Sequence, residues 1–286
     1  MANRKWTSLV LAALVSVLVA CATAKPGADS ALPQTDAATG AAIDAALAGS
    51  HRSAANKARD VYRHPKQTLT FFGLRQDMTV VELWPGAGGW YTEVLAPILK
   101  DRGTLYAAHI DPVDAPQGGR DGLKAYQDKL AANPQLYGKV KVTVLWNKGA
   151  DIAPPSSADM VVTFRNVHNW MGREWAPQAF AAAYKALKPG GVFGVEEHRG
   201  NPAVPQDPKA ANGYVNEDYA IKMIEAAGFK LVDRSEINAN PKDTKDYEKG
   251  VWTLPPNYRM GDVDRAKYAA IGESDRFTLR FVKPAS

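Results

Sequence analysis

The stretch VVELWPGAGGWYTEVLAP, residues 80–97, constrains the fold more than any other segment of this chain. A short apolar run ends in a glycine-rich turn, and the turn opens an amphipathic run with helical spacing. That order places the turn's backbone N–H groups and the positive end of a helix against a ligand. Gly86, Gly88 and Gly89 supply the permissive backbone such a turn needs.

The alternation continues from Thr79 to the end of the chain. TVVEL, GTLYAAHID, KVKVTVLW, ADMVVTFRN, GVFGVEEH, FKLVDRSEIN and RFTLRFVKP read as strands. WYTEVLAPILK, GLKAYQDKLAAN, PQAFAAAYKALK and NEDYAIKMIEAAG read as the intervening helices. Strands separated by helices imply a doubly wound, mostly parallel α/β sheet of seven strands with helices on both faces. An apolar content of 45% in 286 residues is enough for one such core. No internal repeat is visible.

Upstream of the sheet the composition changes twice. Residues 1–21 carry Arg4 and Lys5, then the apolar run WTSLVLAALVSVLVA, then LVAC. This reads as an export signal, and LVAC resembles the lipobox of bacterial lipoproteins, with Cys21 as the lipidated residue. Cys21 is the only cysteine, so no intramolecular disulfide forms. An uncleaved anchor, or a plain signal peptide with an incidental cysteine, are the other readings. The expected location is the bacterial envelope, as a periplasm-facing lipoprotein of the outer membrane held by its lipid. Residues 22–40 are small, polar and dotted with Pro and Gly, a flexible tether. Residues 41–75 form an alanine-rich helical extension of one or two helices, in which Arg52, Arg59 and Arg63 read as solvated or capping charges. Residues 76–286 are the main domain, with a long insertion at 239–275. The net charge is +5, and removal of Arg4 and Lys5 leaves 5 − 2 = +3, too mild to point to nucleic acid.

Three further segments sharpen the glycine turn. Asp111 ends the second strand, where an acidic side chain can accept both hydroxyls of a ribose. SADMVVTFRNVHNW gives a strand after a polar turn, and YKALKPGGVFGVEE a helix, a turn and the next strand. In these segments the chain resembles class I S-adenosylmethionine-dependent methyltransferases: VVELWPGAGG their first motif, LYAAHID their second, LKPGGVFGVEE their turn after the helix, and AAGFKLVDRSEI their sixth strand. NPKDTKDYEKGVWTLPP and IGESDRFTLRFVKP look like a bacterial envelope subgroup of them. The resemblance covers about residues 75–286. It implies S-adenosylmethionine across the carboxyl ends of the strands: Glu82, Gly86 and Gly88 at the methionine part, Asp111 at the ribose, Asp151 near the adenine edge and Asn166 near the methyl. Trp84 departs from the pattern, standing where the family has its first glycine.

The same carboxyl edge carries RNVHNWMG, HRGNPAVPQDPKAANGY and a connection after the sixth strand far longer than the usual 4–6 residues or so. Long loops over a ligand edge shape substrate pockets and lids. His168, Trp170, His198, Arg199, Asn240, Lys242, Asp243 and Trp252 are expected to gather there. His168 or His198 is the candidate general base, needed when the methyl acceptor has a proton to lose. Structural hydrogen bonding is the alternative for each. Glu196 and Glu197 with the two histidines match no recognised metal-ligand spacing, and adjacent strand residues face opposite ways, so no metal is expected. Arg199, Lys242 and Arg276 are candidates for an anionic substrate, or for fastening the long loop to Asp243, Asp246 and Asp275. The expected activity is methyl transfer to a small or envelope-associated acceptor. A non-catalytic binding module on the same fold is the alternative.

Overall fold

The alternation from Thr79 closes into an eight-stranded sheet, one strand more than the sequence predicts. The computed structural model describes residues 1–2 and 32–285, so the tract holding Cys21 lies outside the described residues. Four helices come first: α1 (Ala37–Ala48), α2 (Ala54–Lys57), α3 (Asp60–Arg63) and α4 (Pro65–Phe72). Asp36 caps α1 by accepting from Thr39 N at 2.6 Å, so helix begins inside the stretch 22–40. Ile43 and Ala46 of α1 and Leu69 and Phe72 of α4 are buried against the sheet. The helical extension is therefore part of the core.

The sheet elements follow as β1 (Thr79–Leu83), α5 (Thr92–Leu99), β2 (Thr104–His109), α6 (Gln117–Ala132), α7 (Pro134–Tyr137), β3 (Lys141–Trp146), β4 (Gly149–Asp151), β5 (Ala158–Phe164), α8 (Val167–Gly172), α9 (Ala176–Ala186) and β6 (Leu187–His198). The chain then runs through α10 (Glu217–Ala226), β7 (Lys230–Ser235), a 3-10 turn (Gly250–Thr253), α11 (Arg265–Ile271) and β8 (Arg276–Val282). The strand order is β4-β3-β2-β1-β5-β6-β8-β7. Strands β3, β2, β1, β5 and β6 are parallel, and β8 is antiparallel to both β6 and β7. The extra strand is β4, which folds back on β3 through a two-residue hairpin with Trp146 opposite Gly149.

The LKPGG stretch, expected as a turn, belongs to β6. The pairing with β5 slips between Ala158 and Met160, so Leu187 and Val192 both pair with β5 while the residues between them bulge. Two apolar clusters cover the two faces. One joins α8, α9 and α10 to the sheet, and the other joins α1, α4 and α5. Gly194 in β6 permits that second contact, because a Cβ there would stand 2.7 Å from the Phe72 ring.

The sheet order reverses between β1 and β5, and ligands of open α/β sheets bind at such a switch point outside the carboxyl ends of the strands.

Candidate functional site at the carboxyl edge of the sheet

The glycine turn leaves β1 through Trp84, which holds a left-handed backbone, φ 49°, and donates its N–H to Ala108 O at 2.8 Å. Gly86 follows at φ 70°, and nothing lies within 4 Å of a Cβ placed on Gly86 or Gly88. Residues 86–88 are exposed. The turn is thus an open cradle of backbone N–H groups at the start of α5.

Beneath it the polar groups are withdrawn. Glu82 is buried and accepts from Thr92 Oγ1 at 2.6 Å, and burial pushes its carboxyl up to about 7. It faces the floor of the turn. Asn166, two residues beyond β5 at the start of α8, reaches across the switch point, donating Nδ2 to Leu83 O at 3.0 Å and Trp84 O at 3.3 Å. Asp111, half-buried, accepts from Val113 N through Oδ1 at 2.8 Å, and no bond to its Oδ2 occurs among the described residues. Asp151 sits exposed on the edge strand β4 opposite Val144.

Sequence reasoning missed His109, the last residue of β2. Its Nδ1 accepts from Ile110 N at 2.9 Å, and burial lowers its imidazole to about 4 against a weaker opposing contact with the Gly86 backbone, which falls short of a well-formed hydrogen bond to the buried Nε2. The signal was present: LYAAHID places a titratable ring at the end of a central strand.

Trp84 turns away from the glycines. Its Nε1 donates to Leu145 O at 2.9 Å, and its ring stacks on Trp146 at 5.7 Å and meets Trp175 and Trp170 edge-on at 5.4 and 6.1 Å. Trp170 therefore belongs to this aromatic cluster and not to the histidines.

The second feature of the edge is a cavity of about 240 Å³ at the ends of β5 and β6. Arg59, Arg63, Arg165, His168, Asn169 and His198 form its polar wall, and Trp252 with Pro255 and Pro256 of the long insertion covers it. The histidines come from adjacent strand ends, and their rings stand 5.3 Å apart. Glu197 holds both: its Oε1 accepts from His168 Nδ1 at 2.9 Å and from His198 N at 2.7 Å, and its Oε2 from His168 N at 3.2 Å. An oxygen already accepting a backbone N–H assigns the His168 proton to Nδ1, leaving Nε2 a free acceptor. His198 Nδ1 lies 2.6 Å from Ser274 Oγ, and burial, then His168, Arg165, Arg276 and Arg63, drive its pKa well below the ordinary value. It is neutral at pH 7.

The arginines overturn the reading of Arg52, Arg59 and Arg63 as solvated charges. Arg52 is buried in a two-pronged pair with Asp60, both bonds 2.7 Å. Arg59 and Arg63 meet Glu273 at 2.6 and 3.0 Å, and Arg276 joins the same carboxylate at 3.1 Å. Glu196 faces the other way, pairing with Arg165 at 3.0 Å and Arg276 at 3.3 Å. Arg165 holds a left-handed backbone, φ 59°, at the cavity wall, a strained conformation of the kind found at functional sites.

Of the group expected to gather, His168, His198 and Trp252 share the cavity. Arg199 pairs with Glu236 at 2.7 Å and Glu217 at 3.3 Å. Asp243 accepts from Tyr214 Oη at 2.9 Å, and Asn240 and Lys242 line a separate depression beside Tyr62. These residues fasten the insertion, with Lys245–Asp275 at 2.9 Å.

One nitrogen or oxygen from each of His168, Glu197 and His198 lies within 4.8 Å of the others. Glu197 is already satisfied by three N–H groups, and the surrounding guanidiniums oppose a cation, so the cluster is better suited to hydrogen bonding than to a metal.

No protein-family model matches the chain, and no curated protein matches it. Solved structures do. A SAM-dependent methyltransferase from Aquifex aeolicus superposes with TM-score 0.52 at 15% identity, covering 79% of this chain and 93% of that one. The cyclase SpnF gives 0.56 at 14%, covering 89% and 100%. The SAM-dependent methyltransferase SibL, in its apo form, gives 0.50 at 14%, covering 80% and 57%. The chain has the fold of class I SAM-dependent methyltransferases. A cyclase among the neighbours means that the fold by itself does not select the reaction.

The residues present fit S-adenosylmethionine at the turn. Gly86 and Gly88 leave open space above their backbone, Asp111 just beyond β2 keeps one carboxylate oxygen without a bond among the described residues, and the Trp84 indole is pinned aside by Leu145 O.

Proposed function

We propose that this domain transfers a methyl group from S-adenosylmethionine to a small acceptor. The open Gly86–Gly88 cradle between β1 and α5 is the observation that carries the reading. Gly86, Gly88 and Asp111 would hold the cofactor, which when bound supplies an electrophilic methyl group on sulfur. Asn166 keeps the crevice in shape by tying β5 to β1. The acceptor sits in the histidine cavity, and His168 Nε2 takes a proton from it where the acceptor has one to lose. Glu197 fixes the His168 ring for that role.

A second reading, a binding module without catalysis, is favoured by one observation: neither Gly86, Gly88 nor Asp111 is among the residues lining the histidine cavity. Calorimetric titration with S-adenosylmethionine and S-adenosylhomocysteine separates the two. Micromolar binding of both, weakened about 10–100-fold in Asp111→Ala by loss of charged hydrogen bonds, is expected of the enzyme. A folded chain that binds neither is the binding module.

The proposed setting is the bacterial envelope, facing the periplasm and held in the outer membrane by lipid on Cys21. The charged start, apolar run and LVAC of residues 1–21 support it, as do the phrases at 240–256 and 271–284 that resemble an envelope subgroup. No helix of the described residues is long and apolar enough to cross a membrane. Radiolabelled palmitate incorporated by the native chain and not by Cys21→Ala is the expected result, and equal labelling of both removes the anchor. No nucleic-acid partner is proposed.

A further inference from the structure

We infer that the histidine–arginine cavity is a site for a small oxyanion, a carboxylate or phosphate group carried by the acceptor or ligand. The inference gives the proposed acceptor a chemical class, and it rests on the cavity alone, so it stands even if the chain binds no S-adenosylmethionine.

Charge comes first. Three guanidiniums line the cavity, those of Arg59, Arg63 and Arg165, and with Arg276 they face the carboxylates of Glu273, Glu196 and Glu197, an excess of 4 − 3 = +1. Arg276 stands behind the other three, and Glu196 faces Arg165, Arg276 and Tyr91. Like charges crowded in low dielectric repel unless an anion joins them. The crowding is visible at Arg63, whose guanidinium is held down at about 9, first by burial and then by Arg165, with Arg59 and Arg276 adding to it.

Donor geometry comes second. Arg59 and Arg63 bind Glu273 through Nε only, at 2.6 and 3.0 Å. Among the described residues no hydrogen bond leaves the Nη atoms of either. Two guanidinium forks therefore keep their outer N–H groups for something else, and a planar or tetrahedral oxyanion is what such forks match. Arg63 is fixed against the Trp90 ring at 4.7 Å and is 5% exposed, so it is held in place before any ligand arrives.

Size and neighbours come third. A volume of about 240 Å³ lies below the ~300–1,000 Å³ of drug-sized sites, which selects a small molecule. The Asn169 amide and the two histidine rings complete a wall with hydrogen-bonding groups for the rest of it. The same excess of guanidiniums argues against a bare metal ion.

The test is calorimetry on the full chain with inorganic phosphate, with benzoate, and with benzamide as the uncharged counterpart of benzoate. Saturable binding of phosphate or benzoate, no binding of benzamide, and at least tenfold weaker anion binding in Arg59→Gln are expected. Lys124→Gln, on the exposed face of α6 and away from the cavity, leaves affinity unchanged. A phosphate-only response assigns a phosphoryl group, and a benzoate-only response a carboxylate. A second measurement needs no variant: saturating anion protects Arg59 of the native chain from phenylglyoxal, read by mass spectrometry. The inference is overturned if neither anion binds, if Arg59→Gln binds as well as the native chain, if Arg59 is not protected, or if the cavity instead takes Zn²⁺ with an affinity that His198→Ala abolishes. Failure of S-adenosylmethionine to bind removes the methyltransferase and leaves these outcomes untouched.

Discussion

The floor of the glycine turn and the wall of the arginine cavity each hold a buried glutamate, and the two respond to burial in opposite directions. Glu82 is 2% exposed and Glu273 is 4% exposed. Among the described residues the Glu82 side chain hydrogen-bonds to the Thr92 hydroxyl at 2.6 Å, and Lys129, which pairs with Glu93, and Arg165 lower it only in part. Burial wins, and the carboxyl rises to about 7. At the cavity, burial also pushes Glu273 up, but Arg63, Arg276 and Arg59 together outweigh it and hold the group at about 2. Near neutral pH Glu82 therefore carries only part of its charge, beside a turn whose backbone at Gly86 and Gly88 faces open space. The cavity is kept positive, with more guanidinium than its own carboxylate uses.

Glu273→Ala breaks this contrast most severely. It leaves buried Arg63 and Arg276, and half-buried Arg59, without their shared partner, and an uncompensated buried charge costs about 3–5 kcal/mol. Urea unfolding at pH 7 should show that loss, and a loss under about 1 kcal/mol would mean that the arginines find other partners. The pH dependence carries the same sign. Glu273 titrates lower in the folded chain than its ordinary 4.5, so its contribution is present above that value and lost as pH falls through about 2. A difference of roughly 2.5 pKa units corresponds to about 3 kcal/mol.

This network also shows where the sequence stops being legible. TVVEL, MVVTF and VFGV were readable as strands because central parallel strands are buried on both faces and become unbroken apolar runs. GAD in β4 was not: three exposed residues carry no pattern, and only the hairpin closure makes them a strand. The approach of His168 to His198 was legible, since both follow strands that a parallel sheet sets side by side. Arg59 and Arg63 were not, because their partner Glu273 lies 214 and 210 residues further on. No local spacing encodes that meeting. Trp84 was legible as a departure whose ring turns away and stacks or covers the ligand, but its partners were not, since Trp146, Trp170 and Trp175 come from three later elements or loops.

Glu82→Gln sharpens the other side of the comparison. The folded pKa near 7 lies above the ordinary 4.5, so this group's contribution is fully present below about 4.5 and is lost as pH rises through 7. The amide cannot ionise and escapes that loss. The variant should match the native chain within about 1 kcal/mol near pH 4.5 and exceed it by up to about 3 kcal/mol at pH 8 to 9. Denaturant midpoints across that range decide it. A variant that is uniformly less stable at every pH would mean that the ionised carboxylate is wanted beneath the turn.

The smallest effect compares two asparagines three residues apart. Asn166, 8% exposed, ties Leu83 O and Trp84 O to the start of α8, whereas Asn169 is half-buried and makes one long bond, 3.4 Å to Arg165 O. Removing a buried donor leaves its acceptors unpaired, so Asn166→Ala should cost about 1–2 kcal/mol. Asn169→Ala, at the cavity mouth, should stay within about 0.5 kcal/mol. The same pair separates structure from binding. Asn166→Ala should speed amide exchange at Trp84, whose backbone the side chain helps to fix. Asn169→Ala should leave that exchange alone and weaken whatever occupies the cavity. Equal costs at the two positions would mean that the switch point is held by the strands themselves, with Asn166 no more than a spectator at the crevice.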